Sequence, residues 1–179
     1  MTPRIKQKHE KIPSRQGIRE HDGGVDQSGN IDMKVILYMA ITANGLIARE
    51  EGGTDWINQE DWKNFREMAK QAGSVVMGRG TYDAMIKEGE FPVAGVLNVV
   101  MTREAPPAEP LKEVIFSDAS PEEVVGMLGE RGFESVLIAG GGNLNGSFMG
   151  DGLIDEIYLT IEPVVFGQGI QLFEHADFE

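Results

Sequence analysis

The sequence predicts an α/β sandwich with a mostly parallel central sheet, and three observations predict it. Short apolar, β-rich runs alternate with helical patterns from residue 34 onward. Several of those runs, SVVMG and SVLIAG among them, are apolar throughout, as buried strands are. The chain has 179 residues, 41% of them hydrophobic, with no internal repeat, which points to one domain with a real core.

Residues 1–32 mix charges of both signs with Gly, Ser and Gln and hold no sustained apolar period. They read as a polar tail, disordered or non-native, so the domain is assigned to 33–179. KVILYMA (34–40) reads as a buried strand. The stretch MAITANGLIA (39–48) breaks at Asn44-Gly45, a turn dipeptide, into a Gly-rich loop through GGTDW that is able to close over a ligand. An ordinary connection is the alternative. NQEDWKNFREMAKQAG (58–73) reads as an amphipathic helix with Trp62, Phe65, Met68 and Ala69 on one face and Gly73 at its end.

SVVMG (74–78) is a strand, RGTYDAMIK a short helix, AGVLNVVMT (94–102) a strand and EAPPAEP a loop. EVIFS (113–117) is a strand. Ser120-Pro-Glu-Glu opens a helix with a good cap, Pro at its first position and acids in its first turn. SVLIAG (135–140) is a strand, NLNGSFMGDG a short helix with its exit, and DEIYLTIEPVVFG (155–167) a long strand.

Acidic residues number 29 against 16 basic ones, so nucleic acid and anionic membrane are not expected as partners. There is no Cys, which excludes disulfides and thiolate chemistry and fits a reducing, cytoplasmic setting. No apolar run is long enough to span a bilayer. The three histidines, His9, His21 and His175, lie in or near the chain ends. No metal site is expected, and acid-base chemistry falls to carboxylates, Tyr, Lys, water or a cofactor.

The chemistry concentrates in glycine-bearing turns after strands. Ala139 and Gly140–Gly142 end one strand and open a helix, where backbone N–H groups and the dipole favour a phosphate or diphosphate. A tight turn with close strand-helix packing is the plainer reading. A dinucleotide fingerprint is rejected, since that motif opens its domain and here little chain follows. Gly78, Arg79, Gly80 and Thr81 repeat the arrangement, with a guanidinium and a hydroxyl suited to phosphate. Thr102 and Arg103 follow a third strand, and two such arginines in an acidic chain suit an extra phosphate, as on NADPH.

Taken in order, AITANGLIA, DWKNFREMAKQAG, VVMGRGTYDAM, LNVVMTR, VLIAGGGNLNGSFM and DEIYLTIEPVVFGQGIQLF resemble the dihydrofolate reductase superfamily. The resemblance is nearer to single-domain relatives of the riboflavin-biosynthesis reductase domain and covers residues 34–173. It implies a three-layer, dihydrofolate-reductase-like sandwich, NADPH across the carboxyl edge and hydride transfer from nicotinamide C4. By the same resemblance Ala40 and Ile41 meet the carboxamide by backbone, and Asn44, Gly45 and the residues to Ile47 form a mobile loop. Gly78, Arg79 and Thr81 with Thr102 and Arg103 hold the adenosine-side phosphates. Gly141, Gly142, Asn143 and Leu144 hold the diphosphate.

A carboxylate on the helix after the mobile loop serves the substrate in dihydrofolate reductases, and Asp61 and Glu60 lie on the matching helix. Asp61 is one residue out of register counted from Met77-Gly78, and favouring the helix N-terminus is its other reading. Asp83 is a further candidate. The zinc ligands of a deaminase are absent. The chain stops soon after QLF, where relatives continue into one more strand. That leaves a sheet edge for a partner subunit, for the N-terminal tail, or uncovered in a truncated chain.

The expectation is an NADPH-dependent reductase, homodimeric, acting on a small heterocyclic or phosphoribosyl-bearing substrate. Dihydrofolate reductase itself and a nucleotide-binding protein without turnover are the alternatives.

Overall fold

In the computed structural model, residues 10–13, 33–109 and 111–175 are described. Seven strands form one sheet: β1 (Glu10–Pro13), β2 (Lys34–Thr42), β4 (Ser74–Gly78), β5 (Leu97–Met101), β6 (Val114–Ser117), β7 (Ser135–Ile138) and β8 (Glu156–Glu162). Their order is β1-β8-β2-β7-β4-β5-β6, and every pairing is parallel except β1 with β8. A second, two-stranded sheet pairs β3 (Leu46–Ala48) with β9 (Ile170–Gln171).

The layers follow from the period-2 alternation of the strands. Val75, Met77, Val100 and Leu137 point to one face, where α1 (Gln59–Ala72) and α2 (Arg79–Glu88) bring Phe65, Ala69, Tyr82 and Met85. Val35, Leu37, Val76, Val136 and Ile138 point to the other, against Val124 and Leu128 of α3 (Pro121–Glu130) and Phe148 of α4 (Gly142–Gly150). Strands buried on both faces leave no room for alternation in hydropathy, which is why SVVMG reads as one apolar run.

The helix ends agree with the sequence. Asn58 caps α1, with its side chain accepting from Asp61 N–H, and Gly73 closes it at φ 78°. Ser120 and Glu123 form a reciprocal capping box on α3.

Three segments differ most from the reading. The strand expected from residue 94 starts at Leu97, because Gly95 turns the chain at φ 79° and the buried Asn98 side chain ties the turn to Val93 and Val96. The strand expected to reach residue 167 stops at Glu162, because Pro163 has no N–H and Val164 N–H folds back onto Glu162 O at 2.8 Å. The loop after Asn44-Gly45 contains β3, too short for the pattern to show.

Most of the segment read as a tail lies outside the described residues. Its residues 10–13 form β1, antiparallel to β8 with Glu10 opposite Leu159 and Pro13 opposite Glu156. Within the chain, the N-terminal segment thus lies along the Glu156–Leu159 part of that edge.

Candidate active site

A cavity of about 500 Å³ opens at the carboxyl edge of the sheet, within the range that holds a small ligand or cofactor. Its lining includes Met39 of β2, Gly78 at the end of β4 and Ala139 just after β7. Its walls are the starts of two helices: Arg79, Gly80 and Thr81 of α2, and Gly141 through Leu144 at α4. Ile47, Ala48, Thr54, Ile57 and Trp62 cover it from the loop side, with Ile170 and Glu174 from the end of the chain.

The helix starts divide sharply. α1 and α3 are capped by side chains, whereas α2 begins at Gly78 and α4 at Gly141 with no side-chain cap. The first N–H groups of a helix lack intrahelical partners, so an uncapped start that opens on a cavity offers donors and a positive dipole end to an anion. Gly78 N–H donates to Gly140 O at 2.8 Å, which locks the two turns side by side. Gly140 takes φ 93°, a conformation other residues rarely adopt. The donor set fits the diphosphate of a nucleotide cofactor.

Beside these turns the sheet itself is open. β7 pairs with β2 only from Lys34 to Leu37 and ends at Ile138, so β2 has no strand neighbour on that side from Tyr38 on. Lys34 N–H points to that side, toward Glu134 O. Counting by two puts the Ala40 N–H and C=O there as well and turns the Ile41 backbone toward β8. Ala40 thus presents backbone to the opening and Ile41 does not.

Other expected residues lie around this centre. Asn44 and Gly45 form a tight turn: Gly45 N–H donates to Thr42 O, the Thr42 hydroxyl to Asn44 Oδ1, and the Asn44 amide to Phe166 O. The cavity-lining Ile47 follows in β3, so the segment expected as a mobile loop is strapped to the end of the chain. Thr102 accepts from Glu104 N–H at 3.1 Å, and neither Thr102 nor Arg103 lines the cavity. Arg79 does line it, held by ion pairs to Asp83 at 2.8 Å and Glu104 at 2.6 Å. Asp83 is therefore the partner of a cation on the outer side of α2, its side chain 54% exposed.

The three acids are sorted by burial. Glu60 is exposed on α1. Asp61 is 4% exposed and accepts the Tyr38 hydroxyl at 2.7 Å. With that proton committed, the Thr160 hydroxyl 3.3 Å away donates to Tyr38. Burial above all, opposed by Thr160 and reinforced by Asp61 and Glu162, raises the Tyr38 pKa well above the ordinary phenol value, so it stays a donor throughout the neutral range. Asn58 supplies the helix cap, so the Asp61 carboxylate has a tertiary role beyond the helix start.

Asp61 itself does not line the cavity, and sequence reading missed its buried surroundings, Tyr38, Thr160 and Glu162, and one residue that does line the cavity, Glu174. Tyr38 and Thr160 look like ordinary strand residues. Glu162, 4% exposed and accepting from the Asn58 amide, was visible as one acid inside the apolar run TIEPVV. Glu174 reaches the cavity only through the return of the chain, where its N–H donates to Gly142 O at 3.0 Å. Among the described residues no cluster of His, Cys, Asp and Glu is arranged to hold a metal ion, and no helix is long and apolar enough to cross a membrane.

Known proteins are similar to this chain in sequence and in fold. The uncharacterized protein YwjB of Bacillus subtilis (strain 168) is 30% identical over 153 residues, covering 83% of this chain and 87% of its own. The 2,5-diamino-6-ribosylamino-4(3H)-pyrimidinone 5′-phosphate reductase of Methanothermobacter thermautotrophicus is 25% identical over 171 residues, covering 74% of this chain and 79% of its own. Among solved structures, the dihydrofolate reductase of Enterococcus faecalis complexed with NADP(H) and RAB-propyl superposes with a TM-score of 0.63 at 23% identity, over 83% of this chain and 81% of that one. That likeness is one of fold, and it matches the expected dihydrofolate-reductase-like sandwich. The model of the RibD C-terminal domain matches residues 33–179, all of the body from the start of β2. This chain belongs to the RibD C-terminal domain family.

Proposed function

We propose that the protein is an NADPH-dependent reductase that transfers a hydride to a small heterocyclic or phosphoribosyl-bearing substrate in the cytoplasm. The observation that carries this reading is the pair of uncapped helix starts, at Gly78 and Gly141, opening side by side on one cavity at the carboxyl edge. The reductase among its relatives and the NADP(H)-bound structural neighbour support it.

NADPH, when bound, would supply hydride chemistry from carbon 4 of its nicotinamide. The chain's own residues do the rest. The backbone of Gly141–Leu144 and Gly78–Thr81 receives the phosphates. Ala40 offers N–H and C=O to the carboxamide at the gap beyond β7. Ile47, Ala48 and Trp62 keep water from the reacting face. Asp61, oriented by the Tyr38 hydroxyl that Thr160 in turn positions, is the carboxylate assigned to proton transfer at the substrate end.

Two measurements test the reading. Saturable oxidation of NADPH with either the ribosylaminopyrimidinone phosphate or dihydrofolate is expected, and the panel separates those two activities. Nucleotide binding with no turnover on any member would leave a binding protein. Asp61→Asn should lower the hydride-transfer rate by roughly 100-fold or more with NADPH affinity nearly unchanged. Survival of turnover with loss of thermal stability alone would make Asp61 structural and move the proton to Glu60 or water.

A further inference from the structure

Arg79 is the one cation among the described residues that line the cavity, and it already holds two anions. Its Nε donates to both carboxylate oxygens of Asp83, at 2.8 and 3.0 Å. Its Nη1 lies 2.6 Å from Glu104 Oε2, and its Cζ sits 5.6 Å from the centre of the Tyr82 ring. Two edges of the guanidinium are occupied before any phosphate arrives.

The two carboxylates are not equivalent. Asp83 follows Arg79 by four positions on α2, so that pair belongs to a single helix and moves with it. Glu104 comes from the segment after β5, its backbone held by the Thr102 hydroxyl and its side chain 66% exposed. It is an arm from a separate element laid across the cation that a sugar phosphate would use.

The chemistry of the two nucleotide forms then diverges. A 2′-phosphate needs the forked donors of an arginine and is repelled by a carboxylate beside them. A free 2′-hydroxyl is a donor, and a carboxylate is its usual partner. Glu104 opposes the first form and favours the second.

We infer that Glu104 is a specificity-determining residue for the cofactor: by occupying Arg79 it lowers the preference for the 2′-phosphorylated nucleotide and admits the unphosphorylated one. This rests on the nucleotide reading of the cavity given above. Arg79 alone sets a preference for NADPH, and Glu104 reduces it.

The test is titration calorimetry of the full chain with NADPH, NADH and the fragment 2′,5′-ADP. The proteins are the wild type, Glu104→Gln, Arg79→Ala and the double variant. Glu104→Gln should tighten NADPH and 2′,5′-ADP by roughly two- to fivefold, the range for one exposed charge, while NADH stays the same or weakens. The gain should fall as salt rises and vanish in the Arg79→Ala background. An unchanged NADPH-to-NADH ratio in Glu104→Gln, or a gain that persists without Arg79, would overturn the inference while leaving the cofactor reading in place. Binding of neither nucleotide by any variant would overturn the cofactor reading and the inference with it.

Discussion

Two glycines that look alike in the sequence should respond oppositely to alanine. Gly142 is the first residue of α4, and a Cβ there would sit 2.5 Å from Gln171 O and 2.8 Å from Glu174 Cγ. The first of these is backbone, which has no rotamer to escape into. Gly142→Ala must therefore keep the overlap, at about 1–3 kcal/mol for overpacking, or push residues 171–174 away. Displacement breaks the bonds from Glu174 N–H to Gly142 O and from Asn145 Nδ2 to Leu172 O. Each is worth about 1 kcal/mol, and Asn145 is fully buried, so its stranded donor adds to the cost. A net loss of roughly 2–4 kcal/mol follows after the small helix-propensity gain of Ala. That is a fall in Tm of roughly 6–12 °C for a domain of this size. Gly80 is the control: it has ordinary negative φ and nothing within 4 Å of the Cβ position. Gly80→Ala should be neutral or stabilising by up to about 1 kcal/mol. Denaturant unfolding measures both, and hydrogen exchange at the Glu174 amide reports whether the strap has lifted. Equal small effects at the two sites, with Glu174 protection unchanged, would refute the packing argument.

Two further expectations follow from other elements. The Glu123 carboxyl is held below its ordinary value by the Ser120 backbone and side chain. Its folded pKa is depressed, so its contribution is present above the unfolded value near 4.5 and is lost as pH falls through the folded value. The stability gap between wild type and Glu123→Gln should therefore shrink between pH 6 and pH 3, and a gap independent of pH would rule this out. We also propose a homodimer that uses the flank of β8, where Ile161 and Val165 are 56% and 70% exposed. Sedimentation should give a dimer at micromolar concentration, and a monomer there would contradict it.

The site was legible in part because glycine clusters have a local cause. A strand must end, turn and open a helix within a few residues, and Gly78, Gly140 and Gly141 advertise that wherever the turn sits in the fold. The chain itself also determined the helix caps at Asn58 and Ser120 and the layered arrangement, since caps and hydrophobic periods act over a few residues. What joins Tyr38 to Asp61 and Thr160 was not legible, because the three come from β2, α1 and β8 and meet only when the sheet has paired in register. Glu104 and Arg79 are likewise 25 positions apart, and only the folded chain makes them one charge group. The opening beside Ala40 exists because β7 ends early while β2 runs on, a mismatch in strand length between non-neighbours in the sequence. Local sequence specifies conformations a few residues long. Which of those conformations face one another is decided by long-range pairing and burial, and that is what brings Tyr38, Asp61 and Thr160 together and sets Glu104 against Arg79.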